Sequence, residues 1–373
     1  LSKMTSSLIH RGPDDEGIWH ENYIGFGHRR LSILDLSNSG KQPMKSNCER
    51  FIMAYNGEIY NHLELRHELE KIDKAPKWKG HSDTETLIAT IKHWGIDDAL
   101  RRVHGMFALA IWDKANKSLS LARDRIGEKP LYWGWVGSDL IFGSELKALR
   151  SHTNFSNKFC KKALSQYLRF MYVPAPRSIY QDIYKLEPGT ILTVSITPPS
   201  NPPKDPIRPG EKHGSISIRR YWDLKENLKT ESLNLIEDDN EAVSMIEKTL
   251  KKVVNKQMMS DVPFGAFLSG GVDSSSVVAL MQAQVNRPIK TFTIGFSEKK
   301  YDESIHAEAV SKHLGTDHTK LHVSDSDARK IIPDLPLIYD EPFADSSQIP
   351  TYLVCHAARQ EVTVALSGDG GDE

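Results

Sequence analysis

The chain has 373 residues, enough for two domains that each bury their own core. Its 48 basic and 49 acidic residues, with 15 histidines, leave a formal net charge of −1, so no global field favours nucleic acid or an anionic membrane, and small molecules are the expected partners. Cys48, Cys160 and Cys355 are too few and too scattered for a disulfide framework or a zinc knuckle. They read as structural residues of a reducing compartment. No apolar run approaches the ~18 to 20 residues of a membrane span and no signal peptide precedes Leu1, so a cytoplasmic location is expected.

In chain order, Leu1, Met4, Leu8 and Ile9 have helical spacing. The chain opens inside that pattern without a methionine and stops at Glu373 in a glycine-rich acidic turn, so it is expected to be a piece of a longer protein. From about Gly17 to Phe142 short alternating strands dominate: Ile24 to Phe26, Phe51 to Tyr55, Phe107 to Trp112, Leu119 to Ala122, Leu131 to Trp135 and Leu140 to Phe142. Two helical patterns interrupt them, Asn61 to Lys71 and Ser82 to Trp94, the second opened by Ser82 with Glu85 three residues on, the spacing of a capping box. A helix over Lys161 to Phe170 and a strand over Thr190 to Ser195 follow. The proline-rich stretch Thr197 to Gly214 has little to bury and reads as an exposed linker or a long hairpin.

From Glu241 the texture changes. A helix to about Met259 precedes strands Phe264 to Leu268, Ile289 to Gly295 and Thr363 to Leu366, which alternate with helices near Ser275 to Gln284, Glu303 to Leu314 and Pro350 to Arg359. Such alternation predicts a parallel sheet covered on both faces, with ligands at the carboxyl ends of its strands. Ser269-Gly-Gly-Val-Asp-Ser-Ser275 and Ser367-Gly-Asp-Gly-Gly-Asp-Glu373 both fall at such ends and are expected to form one site. In the first, two adjacent glycines let the backbone approach an anion that the following N–H groups and a helix start would face, which suits a phosphate. The Walker spacing and its lysine are missing.

Taken together, these motifs resemble the glutamine-dependent asparagine synthetases. The match runs through Met259 to Ser275 and Ser367 to Glu373, whereas GMP and NAD synthetases share only the shorter loop. In the first half His10-Arg-Gly-Pro-Asp14, Arg30-Leu-Ser-Ile-Leu-Asp35, Asn56-Gly-Glu-Ile-Tyr-Asn61 and His81-Ser-Asp-Thr-Glu85 resemble that family's glutaminase, in the family's order. The resemblance implies an α+β glutaminase of layered αββα architecture with antiparallel sheets at 1–195, a linker or hairpin at 196–218, and an α/β parallel-sheet ATP-pyrophosphatase domain at 219–373.

It further implies an ATP-dependent carbon–nitrogen ligase that amidates aspartate through an acyl adenylate, with glutamine as ammonia source and ATP and Mg2+ as cofactors. A homodimer is compatible with it. Asn56 and Gly57 would form an oxyanion hole, with Arg30, Leu31, Ile33, Glu58 and Asp83 completing the glutamine site: Arg30 on the carboxylate, Glu58 and Asp83 on the ammonium. Each has a structural alternative, a hairpin turn at Asn56-Gly57, a surface ion pair for Arg30 and a helix cap for Asp83.

The ATP site implied by the resemblance comprises Phe267, Leu268, Ser269, Gly270, Gly271, Val272, Asp273, Ser274, Ser275, Ile294, Ser367 and Gly368. Phe267 and Ile294 are also compatible with the sheet core. Asp273 is a magnesium or loop-orienting ligand or a helix cap, and Asp372 a second metal ligand or a solvated turn residue. Asp369 stands where several synthetases of this kind carry a glutamate tied to adenylate formation. Asp302 and Glu303 are compatible with the pyrophosphate side of the site, with an ordinary cap by Asp302 on the helix Glu303 to Leu314 the favoured reading.

Glu341-Pro-Phe-Ala-Asp-Ser-Ser347 is expected to bind the acceptor acid. It contains no arginine to pair a second carboxylate, which keeps open a sugar acid as acceptor, and an inactive fragment acting as a binding partner is a further alternative. In the family an N-terminal cysteine attacks glutamine, and none of the three cysteines stands in such a place. The expected nucleophile therefore lies upstream in a segment beginning Met-Cys. A helical region with a further lysine is expected downstream, and the chain as it stands is not expected to hydrolyse glutamine by itself.

Overall fold

The computed structural model describes residues 1–195, 197–231, 235–296, 298 and 302–371. Two compact units result, Leu1–Ser232 with Tyr339–Ala344, and Leu233–Ile338 with Asp345–Glu373.

The first unit is a four-layer α/β/β/α stack, as the motifs implied. Its main sheet has seven strands, with Phe51–Ile59, Gly105–Asp113, Ser118–Arg123 and Thr190–Ser195 at its centre, all paired antiparallel. Strand alternation sends successive side chains to opposite faces. Phe107, Leu109 and Ile111 pack with Leu87, Ile88 and Ile91 of the helix Asp83–Arg102. Ala108, Ala110 and Trp112 pack with Trp133, Trp135 and Tyr184 of a three-stranded sheet. The far face of that smaller sheet, Val136, Ile141 and Ile183, packs on Leu146, Leu149 and Ala163 of the helices Leu146–Arg150 and Lys161–Phe170. Trp133 is almost fully buried at the centre, and burying a large apolar side chain contributes about 1.5 to 3 kcal/mol.

Several sequence expectations are refined. The helix Asp83–Arg102 kinks at Gly95 (φ +77°), where the predicted helix ended. Only half of the capping box forms: Ser82 accepts from Glu85 N, but the Glu85 carboxylate turns to the N–H groups of Lys79 and Gly80 at 2.9 and 3.0 Å. Residues 212–218, read as part of a linker or hairpin, and 219–220, read as the start of the second domain, supply the strands Lys212–His213 and Ile216–Arg220 of the main sheet.

The second unit holds a four-stranded parallel sheet in the order Asp317–Val323, Lys290–Phe296, Phe264–Phe267, Val364–Leu366. One apolar cluster joins Ala266, Leu268 and Leu366 to Val278, Met281 and Ala307 of flanking helices, and another joins Phe292 to Ala358 and Val362. The strand order reverses at Phe264–Phe267, whose successor pairs on one side and Val364–Leu366 on the other. A ligand crevice forms at that kind of switch point. No helix among the described residues is long and apolar enough to cross a membrane.

Candidate active site

A cavity of about 350 Å³ opens in the first unit beside the strand Phe51–Ile59, and Arg30, Leu31, Ile33, Asn56, Gly57, Glu58 and Asp83 all line it. Asn56-Gly57 makes no hairpin: both residues sit inside the strand, paired with Ala108 and Phe107. Gly57 is required there, because a Cβ would stand 2.1 Å from the Met106 carbonyl oxygen. The Asn56 side-chain nitrogen is buried without a hydrogen-bond partner among the described residues. Leaving a buried amide donor unsatisfied costs about 1 to 3 kcal/mol, so such a group points to a ligand acceptor.

Arg30 is buried and makes no ion pair among the described residues. Its guanidinium donates to the main-chain carbonyls of Ser37 (2.9 Å), Leu34 (3.4 Å) and Asp35. The turn that carries these carbonyls is tied down by Asp35, whose carboxylate accepts from Ser37 N at 3.1 Å and His81 N at 2.9 Å. The result is a fixed cation on the cavity wall, held by main-chain carbonyls and in no ion pair among the described residues.

Asp83 does not cap its helix; Ser82 does. The Asp83 carboxylate accepts the Tyr55 hydroxyl at 2.7 Å and Ile59 N at 2.9 Å, and burial pushes its pKa upward. Burial, reinforced by the Asp83 charge and opposed by Lys129, pushes Glu58 up to about 7. Two acids whose pKa values are both pushed upward favour a cation beside them. Arg30 and the carboxylates of Glu58 and Asp83 thus line one cavity, groups that suit an amino acid's carboxylate and ammonium.

Sequence reasoning missed other lining residues. His28 is neutral, lowered to about 4 by burial, and its Nε2 lies 3.0 Å from the Tyr55 carbonyl oxygen. Lys129, whose pKa burial lowers, is the cation that moderates Glu58. Gln42 accepts Tyr55 N at 2.7 Å. Cys48, Cys160 and Cys355 do not line the cavity.

In the second unit Ser269 to Ser275 joins the strand Phe264–Phe267 to the helix Val272–Gln282. Ser269 and Ser274 hydroxyls lie 2.9 Å apart, Ser269 Oγ accepts Gly271 N at 3.2 Å, and the Ser275 hydroxyl is buried without a partner among the described residues. Gly270 has φ +85°, and a Cβ there would lie 2.6 Å from the His306 Cβ. The two glycine loops come together: a Cβ on Gly368 would lie 2.6 Å from Ser274 N, and one on Gly371 would lie 2.6 Å from Asp273 Cγ.

Asp273 makes no cap, since the helix is capped by Gly271 without a side-chain bond. Leu268 is buried, Val272 is 82% exposed, and Phe267 packs on the cluster containing Phe292. Ile294 is half-buried on the neighbouring strand Lys290–Phe296. Ser367 Oγ accepts Asp369 N at 3.3 Å, and the Asp369 charge, after burial, raises the Cys355 thiol. Asp372 lies outside the described residues. Asp302 was expected to cap its helix, but the N-cap of the helix Ser304–Leu314 is Glu303 without a side-chain bond; Asp302, one residue earlier, accepts Ser304 N at 3.2 Å.

The segment expected to bind an acceptor divides. Tyr339–Ala344 belongs to the first unit, where Glu341 pairs with Lys185 at 2.5 Å and accepts Ile179 N at 2.8 Å, and Asp340 accepts Leu146 N at 2.5 Å and pairs with Lys147 at 3.3 Å. Glu341 is therefore committed to an anchoring role. Asp345 accepts Ser347 N at 2.8 Å.

Comparison with known proteins agrees with this geometry. The glutamine amidotransferase domain family matches residues 1–200 and the asparagine synthase family residues 245–373. Bacillus subtilis glutamine-hydrolysing asparagine synthetase 1 is 37% identical over the whole chain, which covers 55% of that protein. A Methanocaldococcus jannaschii relative whose name carries the same designation is 37% identical across 100% of the chain and 71% of its own length. B. subtilis asparagine synthetase 3 is 30% identical, with 59% of it covered. The chain thus spans little more than half the length of both B. subtilis relatives.

Proposed function

Because the chain belongs to the asparagine synthetase family, we propose that it couples glutamine hydrolysis at the first cavity to ATP-dependent amidation of aspartate at the glycine loops. The observation that carries the reading is the unpartnered, buried Asn56 amide in a cavity that Arg30, Glu58 and Asp83 also line. Arg30 takes the glutamine α-carboxylate, Glu58 and Asp83 its ammonium. The Asn56 amide and the Gly57 N–H stabilise the oxyanion that forms on the side-chain carbonyl when a thiolate attacks. That thiolate is none of Cys48, Cys160 and Cys355, which lie off the cavity wall.

At the second unit, the loop N–H groups and the hydroxyls of Ser269, Ser274 and Ser275 hold the phosphates of ATP, with Phe267, Leu268, Val272, Ile294, Ser367 and Gly368 around the nucleotide. The Asp273 carboxylate, without a hydrogen bond among the described residues and facing Gly371, suits Mg2+, which takes one or two carboxylates together with substrate phosphates. When bound, the ion neutralises charge on the leaving pyrophosphate. Asp369 acts where the acyl adenylate forms. Ammonia passes to that adenylate inside the protein, because in neutral water it is mostly protonated and not nucleophilic. The proposed division is a glutaminase over 1–195 completed by the strands Lys212–His213 and Ile216–Arg220, followed by a synthetase domain.

The test is ATP–pyrophosphate exchange on the complete gene product, comparing aspartate with a panel of sugar acids. Exchange that depends on aspartate supports asparagine synthesis. Exchange only with a sugar acid moves the acceptor to that class, the second reading, which the commitment of Glu341 to Lys185 and the lack of arginine in Glu341 to Ser347 favour. No exchange with any acid refutes both.

A further inference from the structure

A second cavity, of about 210 Å³, lies in the first unit and shares a wall with the first. Gly40 and Gln42 line the first cavity, while Asn38, Ser39, Lys41 and Pro43 line the second. The helix start is divided in the same way, with Ser82, Asp83 and Thr84 on the first and Glu85 on the second.

The second cavity is basic. Lys41, Lys45, Lys79 and Lys92 line it. Lys41 stands 3.6 Å from Asp15, and Lys45, Lys79 and Lys92 reach no carboxylate among the described residues. Glu85, the acid on that wall, is engaged by Lys79 N, Gly80 N and, at 3.7 Å, Arg66. All four lysines are exposed, so their charges present a positive rim to a small anion in solution. The Lys92 charge reaches Cys48: burial opposes ionisation there, but the Ser46 hydroxyl and the Arg50 N–H, with that charge, hold the thiol below its usual value. The volume is below the roughly 300 to 1,000 Å³ of drug-sized sites, which selects a small ligand.

We propose that this cavity binds a small phosphate-class anion, orthophosphate or pyrophosphate, and that its occupancy changes glutamine affinity through the shared wall. The mechanical link is short. Ser39 Oγ donates to the Lys79 carbonyl at 3.1 Å, and the next residue, Gly40, is so close to Arg30 that a Cβ would lie 1.9 Å from Nη2. A shift of Lys41 or Lys79 towards an anion moves the turn against which the Arg30 guanidinium rests. The coupling rests on the reading of the first cavity as a glutamine site; the anion site does not.

The experiment titrates orthophosphate and pyrophosphate, in separate arms at ionic strength fixed with chloride, into the full chain, its Lys45→Ala/Lys92→Ala variant and its Arg30→Ala variant. Calorimetry reads the anion, and a parallel titration reads glutamine. Saturable binding of either anion, weakened about tenfold or more in the double lysine variant and retained in Arg30→Ala, supports the site, and the stronger arm identifies the anion. Non-saturable binding, or equal affinity in the double lysine variant, overturns it. Anion binding that leaves glutamine affinity unchanged overturns the coupling alone. Absence of glutamine binding to the unmodified chain refutes the first-cavity reading and the coupling, while the anion result stands by itself.

Discussion

The Tyr55 hydroxyl donates a 2.7 Å hydrogen bond to the same Asp83 oxygen that accepts Ile59 N at 2.9 Å. Both donors come from one strand, Phe51–Ile59, which also carries Asn56 and Glu58, so a single element fixes the acid relative to the amide. Removing the phenol leaves a buried carboxylate short of a partner. Tyr55→Phe is expected to cost about 1 to 3 kcal/mol in urea unfolding and to weaken glutamine binding. An unchanged midpoint would show that the bond contributes nothing.

Glu58 gives the site a pH dependence. Its folded value of about 7 lies above the ordinary value of 4.5, so the folded chain holds this proton more tightly than the unfolded chain does. The stability from that group is fully present below 4.5 and is lost as pH rises through about 7. Binding of a substrate ammonium runs the other way, since it needs the carboxylate. Glutamine affinity measured by calorimetry between about pH 6 and 8 is expected to rise with pH, and Glu58→Gln to flatten that rise.

Gly40 gives room to a cation. A methyl group there would stand 1.9 Å from Arg30 Nη2, so Gly40→Ala must displace the guanidinium or the turn. Glutamine affinity is expected to fall about tenfold or more, with ATP binding by the second unit unaffected. Equal glutamine affinity in the variant would remove Arg30 from the proposed carboxylate site.

The reciprocal experiment is at Gly270. Its φ of +85° is open to glycine and costs another residue about 1 to 2 kcal/mol, before the clash with His306 is counted. Gly270→Ala is expected to abolish ATP-dependent pyrophosphate exchange in the complete gene product and to leave glutamine binding intact. Normal exchange would show that the loop does not hold phosphate in this backbone state.

The parts of the fold that carry apolar alternation were legible. Phe51 to Tyr55 and Phe107 to Trp112 became central strands because both of their faces are buried. Strands Asp15–Glu21 and Asp317–Val323 were missed for the opposite reason: they are half-solvated edge strands, with polar residues where the pattern needs apolar ones. The motif residues Arg30, Asn56, Glu58 and Asp83, distant in sequence, come together on the wall of one cavity. His28 and Lys129 were not legible, since a residue reaches the wall through the pairing of strands distant in sequence, which no local spacing records. Glu341 was assigned to the acceptor from its motif, and only the Lys185 pairing shows where its charge is spent.

That pairing bears on how the protein can be taken apart. The first unit is not a continuous stretch of chain, because Tyr339–Ala344 completes it from more than a hundred residues downstream of residue 231. A polypeptide cut at that point would carry Lys147 and Lys185 without Asp340 and Glu341, and would leave Leu146 N and Ile179 N without their acceptors. Dissection into two expressible halves therefore needs a synthetic peptide bearing Tyr339–Ala344, or a graft of that hexapeptide, to restore the severed half.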